Sequence, residues 1–296
     1  ATEAMAGWLA KARPDLSFPQ KAGELSDIRI AHCPERVLPG KVMRELITND
    51  RVIGGMTKRC SALAAELYST FVTGECILAS GTRVAEMAKL TENSFRDVNI
   101  AFANELSVIC DKLGINVWEL IRLANRHPRV NVLQPGAGVG GHCIACDPWF
   151  IVSSAPEEAR LIRTAREVND AKPHWVLAKA HAAIADILAT NPKKKARDVT
   201  VACYGVAFKP DIDDLRDSPA LEITQSLMKA HNGKLLVVEP NIDALPPSLK
   251  NASLTDMLGA AEADLHILLV DHKQFRMLRP NTSATVIDTR GIWSAG

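Results

Sequence analysis

Asp198-Val-Thr-Val-Ala-Cys-Tyr-Gly205, running on through Val206-Ala-Phe-Lys209-Pro-Asp-Ile-Asp-Asp-Leu-Arg216-Asp-Ser218-Pro219, decides the fold class. A short apolar run ending in glycine reads as a buried strand. Ser218 with Pro219 is a helix start, an N-cap followed by proline in the first turn. Outward from this unit, Ser218 to Ala230 reads as a helix, and Lys234–Val238, Ala263–Val270 and Ala284–Asp288 read as strands. Strands alternating with helices predict a mostly parallel, doubly wound α/β sheet. Ligands of such sheets bind beyond the carboxyl ends of the strands, here the segment Gly205–Pro219. Lys209 and Arg216 beside a helix N-terminus suit a phosphate. Asp211, Asp213, Asp214 and Asp217 make a charge-balanced surface loop an equal reading.

Upstream, Asn191-Pro-Lys-Lys-Lys195 is a polar break and a linker, its lysines solvated. A long helix is expected from Pro156 into the 180s, broken near Lys172-Pro173. The strongest helical pattern spans Arg83 to Leu113, where Val84, Ala88, Phe95, Val98, Phe102, Leu106 and Ile109 keep helical spacing. Glu86, Lys89, Asn93 and Arg96 form one line along it, either a solvated charged face or the wall of a polar site. A shorter helix is expected over Val117–Ala124. In the first eighty residues Ile28–His32, Arg51–Gly55 and Cys76–Ala79 read as strands and Ser61–Phe71 as a helix. No Gly-x-Gly-x-x-Gly follows a strand in that region.

Between these helices lies Gly138-Val-Gly-Gly-His-Cys143-Ile-Ala-Cys146-Asp147-Pro148. Glycines allow positive φ and close approach of backbone to a ligand, so the loop presents the Cys143 thiol with little obstruction. A thiol attacks carbonyls, and an aspartate four residues on activates water or holds a proton. The alternative is a buried loop cysteine. Cys146 adds a Cys-x-x-Cys spacing, which suits a redox disulfide or half a zinc site. Zinc needs a second ligand pair, for which only His142 and His127 are on offer, so no metal is expected. A Cys143–Cys146 disulfide that silences the thiol is the expected consequence of oxidation.

At 296 residues, 47% hydrophobic and 23% charged, the chain has room for two domains with real cores. A net charge of +1 gives no field for nucleic acid or an anionic membrane. No apolar run approaches the roughly 20 residues that span a bilayer, and the first residues are not a signal peptide. Seven cysteines without framework spacing fit a reducing, cytoplasmic setting.

Together the motifs resemble the UDP-sugar 6-dehydrogenases, the UDP-glucose/GDP-mannose dehydrogenase family. The resemblance rests on Cys33-Pro-Glu-Arg-Val-Leu-Pro-Gly40, Lys89-Leu-Thr-Glu-Asn93-Ser-Phe-Arg-Asp-Val-Asn, Gly140-Gly141-His142-Cys143, Ala207-Phe208-Lys209-Pro210 and Asp288-Thr289-Arg290, in family order. It implies a partial N-terminal NAD-binding Rossmann domain over 1–80. A central long-helix dimerisation and catalytic region over 81–190 and a C-terminal Rossmann-like UDP-binding domain over 191–296 would follow. It implies two successive oxidations of a sugar C6 by NAD. Cys143 is then the nucleophile, Asp147 assists proton transfer and water, Lys89 and Asn93 stabilise oxyanion charge, and Glu35 is a base or positions water. Arg36, Arg129, Gly140, Gly141, Phe208, Lys209 and Arg216 are the implied contacts to the UDP-sugar, and Arg290 is a cofactor contact.

Val37-Leu38-Pro39 points, by resemblance, to the branch acting on UDP-N-acetyl-D-mannosamine, with UDP-N-acetylglucosamine and UDP-glucose as alternatives. A homodimer is implied. The family's glycine-rich NAD turn precedes the residues present by about a hundred positions. The chain alone is therefore expected to have little or no dehydrogenase activity. A non-catalytic UDP-sugar-binding fragment is the competing expectation.

Overall fold

A computed structural model describes residues 1–37, 40–277, 280 and 284–293. Leu38 and Pro39, on which the choice of sugar branch leans, lie outside the described residues. The chain divides into two compact units, Ala1–Asn93 and Ser94–Gly296.

The first unit runs α1 (Thr2–Ala12), α2 (Pro19–Ala22), β1 (Ala31–His32), α3 (Val42–Thr48), β2 (Arg51–Gly55), α4 (Lys58–Ser69) and β3 (Cys76–Leu78). β2 sits between β1, which is antiparallel to it, and β3, which is parallel. Gly54 and Gly55 let neighbouring backbone close in: a Cβ on Gly54 would lie 2.2 Å from the Gly81 oxygen, and one on Gly55 2.3 Å from the Ser61 nitrogen. The strand expected over Ile28–His32 shrinks to two residues. The helix expected from Ser61 begins three residues earlier, where the Thr57 side chain accepts from the Cys60 N–H. Helices α1 and α3 were not anticipated, because neither carries a clear start or stop signal.

α5 (Thr82–Leu113) follows as one unbroken helix, matching its spacing. The second unit continues with α6 (Val117–Ala124), α7 (Asp147–Ser154), α8 (Arg160–Thr190), β4 (Val201–Tyr204), α9 (Pro219–Ala230), β5 (Leu235–Val238), β6 (Ser253–Thr255), β7 (Leu265–Leu268) and β8 (Thr285–Asp288). The sheet order is β6-β5-β4-β7-β8, parallel throughout, the doubly wound arrangement expected. Strand alternation divides the core in two. Val201, Cys203, Leu265 and Ile267 pack against α9 and α8, while Ala202, Tyr204, Leu236 and Leu268 pack against Phe275 and Trp293.

One expectation is corrected: α8 is not broken at Pro173. Proline removes one backbone bond, yet both halves are anchored. Arg166 and Asn169 are tied to α5, and Val176, Ala180 and Ile187 are locked in the sheet core. In the second unit the sequence reading misses α7 and β6. α7 opens on Asp147-Pro148, which reads equally well as the end of a loop, and β6 is short and largely polar.

Candidate active site

Residues between α6 and α7 form a long stretch with neither helix nor strand, so their backbone polar groups need partners from elsewhere. The Asn125 side chain clasps Val132 twice, accepting its N–H at 2.7 Å and donating to its oxygen at 2.9 Å. Pro135 and Gly136 are gripped from two sides. Arg290 donates to the Pro135 oxygen at 3.2 Å, and the Gly136 N–H donates to Asn104 Oδ1 at 2.9 Å. Gly141, at φ +84°, donates its N–H to the Asp217 oxygen at 3.3 Å, and His142 Nδ1 lies 3.2 Å from Asp217 Oδ2.

Cys143 closes this stretch. Its carbonyl accepts from the N–H of Cys146 at 3.2 Å and of Asp147 at 2.8 Å, so Cys143 to Asp147 is one helical turn leading into α7. Positions i and i+4 of such a turn share a face, so Cys143 and Asp147 lie on one side of the turn. Cys143 and Cys146 are exposed free thiols. Among the described residues no cluster of His, Cys, Asp and Glu is arranged to hold a metal.

The loop meets the sheet at its switch point. Phe208, after β4, lies across the Gly140-Gly141 step: a Cβ on Gly141 would sit 3.0 Å from its ring, and one on Gly140 2.4 Å from the Asp217 oxygen. A cavity of about 140 Å³ lies between Gly138, Phe208, the N-terminus of α9 and the ends of β4 and β7, with Arg290 at its edge. A larger one, about 540 Å³, is bounded by Gly141, Cys146, Asn169, Asp217, Ser218 and Glu222. The Ser218 side chain caps α9 by accepting from the Leu221 N–H at 3.2 Å. Lys209 and Arg216 are exposed nearby. Arg216 grips Asp214 through Nε at 2.9 Å and Nη2 at 2.7 Å, which pulls the Asp214 carboxyl down to about 2. Arg290 is held by Asp271 at 2.7 Å. Arg129 is exposed, its backbone N–H turned to His127.

The remaining sequence candidates lie in the first unit. Lys89, partly buried, and Asn93, buried, sit one turn apart on α5. Glu35 accepts from Arg51 Nη1 at 3.0 and 3.1 Å and from the Arg36 N–H at 2.7 Å. Arg36 reaches Glu92 at 2.9 Å. Within its own unit the structure thus brings together Cys143, Asp147, Gly140, Gly141 and Phe208. Sequence reasoning missed Asp217 as a loop clasp. It also missed the buried polar residues of α5 and α8, whose one signal was Asn104 and Arg166-x-x-Asn169 inside otherwise apolar helical spacing.

Residues 1–72, 83–171 and 202–295 match, in that order, the NAD binding domain, the central domain and the UDP binding domain of the UDP-glucose/GDP-mannose dehydrogenase family. UDP-N-acetyl-D-mannosamine dehydrogenase of Yersinia pestis is 63% identical over 99% of this chain and 70% of its own length. The chain belongs to the UDP-glucose/GDP-mannose dehydrogenase family. It is 60% identical to an NDP-N-acetyl-D-galactosaminuronic acid dehydrogenase of Ralstonia nicotianae, over all of this chain and 68% of that relative. The UDP-D-ManNAc dehydrogenase of Pyrococcus horikoshii superposes with a TM-score of 0.79 at 35% identity, covering 98% of this chain and 66% of that one.

NAD is the family's cofactor, and residues 1–72 match its NAD binding domain. At the turn from β2 into α4 the Glu24 carboxylate accepts from the Lys58 and Arg59 N–H groups, each at 3.0 Å, so that helix N-terminus is met by the chain's own carboxylate.

Proposed function

We propose that this chain carries the substrate-handling chemistry of a UDP-N-acetyl-D-mannosamine 6-dehydrogenase, which turns a sugar C6 hydroxyl into a carboxylate with NAD as hydride acceptor. The observation that carries the reading is the exposed Cys143 thiol, one helical turn from Asp147 on a clasped glycine loop at the switch point of a Rossmann-like sheet. The 63% identity with the Yersinia pestis relative favours the mannosamine substrate. The 60% identity with the Ralstonia relative keeps the N-acetylgalactosaminuronic acid branch as a second reading.

NAD, when bound, would take one C6 hydride as the aldehyde forms and a second as the thioester forms. Between the two, Cys143 adds as thiolate to the aldehyde carbon, the oxygen takes up a proton, and a thiohemiacetal results. At the thioester stage, water activated by Asp147 attacks the acyl carbon, and the thiol leaves with a proton returned to sulfur. Lys89 and Asn93 supply charge and an amide for the developing oxyanion, and Glu35 positions water. Gly140, Gly141 and Phe208 seat the sugar. Lys209 and Arg216 face the diphosphate beside the α9 N-terminus, with Arg36, Arg129 and Arg290 as further contacts.

Assembly as a homodimer is part of the same reading, supported by the exposed stripe Phe95, Phe102, Ile109 and Leu113 along one face of α5. No helix among the described residues is long and apolar enough to cross a membrane. The product belongs to surface polysaccharide synthesis, such as that of enterobacterial common antigen, from a cytoplasmic enzyme.

Calorimetry with UDP-N-acetyl-D-mannosamine, UDP-N-acetylglucosamine and UDP-glucose, paired with iodoacetamide mapping, tests this without requiring turnover. Expected are tightest binding of the mannosamine compound and its selective protection of Cys143. Binding that leaves Cys143 unprotected would leave a sugar-nucleotide-binding module with no role for the thiol. Absence of binding to all three would overturn the reading.

A further inference from the structure

The stem of the Cys143 loop is held by a chain of buried side chains that the chemistry above does not use. Asn104 on α5 and Asn169 and Arg166 on α8 are each no more than 1% exposed, and Asp97 on α5 is fully buried. The Gly136 N–H donates to Asn104 Oδ1 at 2.9 Å, Asn104 Nδ2 to Asn169 Oδ1 at 2.9 Å, and Asn169 Nδ2 to the Asp97 backbone oxygen at 3.1 Å. Asn169 Nδ2 also reaches Asp97 Oδ1 at 2.8 Å, which Arg166 Nη1 meets at 2.6 Å.

The direction of this chain is fixed at both ends by backbone. A backbone oxygen only accepts, so Asn169 must offer its amide nitrogen to Asp97 and its oxygen to Asn104. Asn104 must then offer nitrogen to Asn169 and oxygen to the loop. A backbone N–H only donates, and Gly136 donates to that oxygen. Each amide has one orientation that leaves no partner unmet, and an unmet buried partner is costly. Burial raises the Asp97 carboxyl above its usual range, against the pull of Arg166 and Asn169. Protonation there leaves the order intact, because the backbone oxygen of Asp97 still accepts.

We infer that Asn104 and Asn169 are positioning residues for the Cys143 loop, a one-way amide relay that seats Gly136 and so sets where the thiol is presented. The functional weight of this inference rests on Cys143 being the nucleophile; the geometry does not. Asn104→Asp keeps the shape but puts an acceptor against an acceptor at Asn169. Asn104→Ala leaves the Gly136 N–H unmet.

The test is the iodoacetamide rate at Cys143, mapped by peptide mass against Cys76, a free and partly exposed thiol on β3 of the first unit. Both variants are expected to change the Cys143 to Cys76 rate ratio by about tenfold, the scale of one unmet buried hydrogen bond. Asn104→Ala combined with Asn169→Ala should do no more than Asn104→Ala alone, since the two act through one path. A lowered melting temperature with an unchanged ratio would overturn the relay and leave ordinary packing.

Hydrogen exchange on the unaltered chain gives a second measurement should the variants fail to fold. The Gly136 amide is expected to exchange far more slowly than those of Gly138 and Gly140, and equal rates would overturn the inference. Loss of UDP-N-acetyl-D-mannosamine binding in the unaltered chain would count against the proposed function and leave both readouts standing.

Discussion

The two sheets of this molecule use the same vocabulary and end in different states. In the second unit β4, β5 and β7 are buried at every residue, Leu265 and Ile267 to 0% exposure. In the first unit β3, also parallel and also apolar, leaves Ile77 at 43% and Leu78 at 54%. Parallel strands read as continuous apolar runs because helices cover both faces. Such a run announces a strand, but coverage decides how much that strand is worth.

The same contrast holds for two buried arginines. Arg166 sits beside Asp97, and both are inaccessible; Arg51 sits beside Glu35, whose side chain is half exposed. Arg166→Met should cost about 3–5 kcal/mol, because it strands a buried carboxylate. Arg51→Met should cost only about 1–2 kcal/mol, because water takes over at Glu35 while the Leu46 oxygen loses its donor. Denaturant titration measures both, and equal costs would break the comparison. On the sheets themselves, Ile267→Ala should cost about 3 kcal/mol and Leu78→Ala less than about 1 kcal/mol.

A third test concerns charge burial alone. Lys172 is 4% exposed, bonded to Ser107, with its amine 3.8 Å from the centre of the Trp175 ring. Loss of hydration lowers its pKa from 10.5 to about 8, with Asp111 opposing. Below pH 8 folded and unfolded chains both carry the proton. Above it the folded chain releases the proton first, so stability should rise with pH until the unfolded amine also titrates. Lys172→Met should remove roughly 2 kcal/mol of that rise between pH 8 and 10, read as the difference in melting curves of the two proteins.

The smallest expected effect is where the two units should agree. Thr57 caps α4 and Ser218 caps α9, each accepting an N–H three residues on, at 3.2 Å in both cases. Replacement by alanine should cost about 1 kcal/mol at either site. A much smaller loss at Thr57 would show that Glu24, which already meets two N–H groups of α4, does the capping there.

Much of the fold was legible because its signals are local. The α5 spacing, the Ser218-Pro219 start and the strand runs of the second unit are each complete within a few residues. Cys143 and Asp147 were legible for the same reason, being one turn apart. Elements whose signals are weak or shared were not: α7 begins like a loop, and α3 has no cap. Pro173 misled, because a proline in a helical pattern is locally a break, whereas here packing on both sides carries the helix through it.

The sequence by itself determined the parallel α/β class, the long helix, the glycine loop with its thiol and, by resemblance, the family. Only the tertiary structure decided that Glu24 meets the N-terminus of α4, that Asp217 clasps Gly141 and His142, and that Phe208 lies on the loop glycines. The relay from Gly136 through Asn104 and Asn169 to Asp97 joins residues 32, 65 and 72 positions apart. No periodicity or spacing encodes such a pairing. It exists because three segments bury polar groups in one place, where water is absent and each donor must find an acceptor.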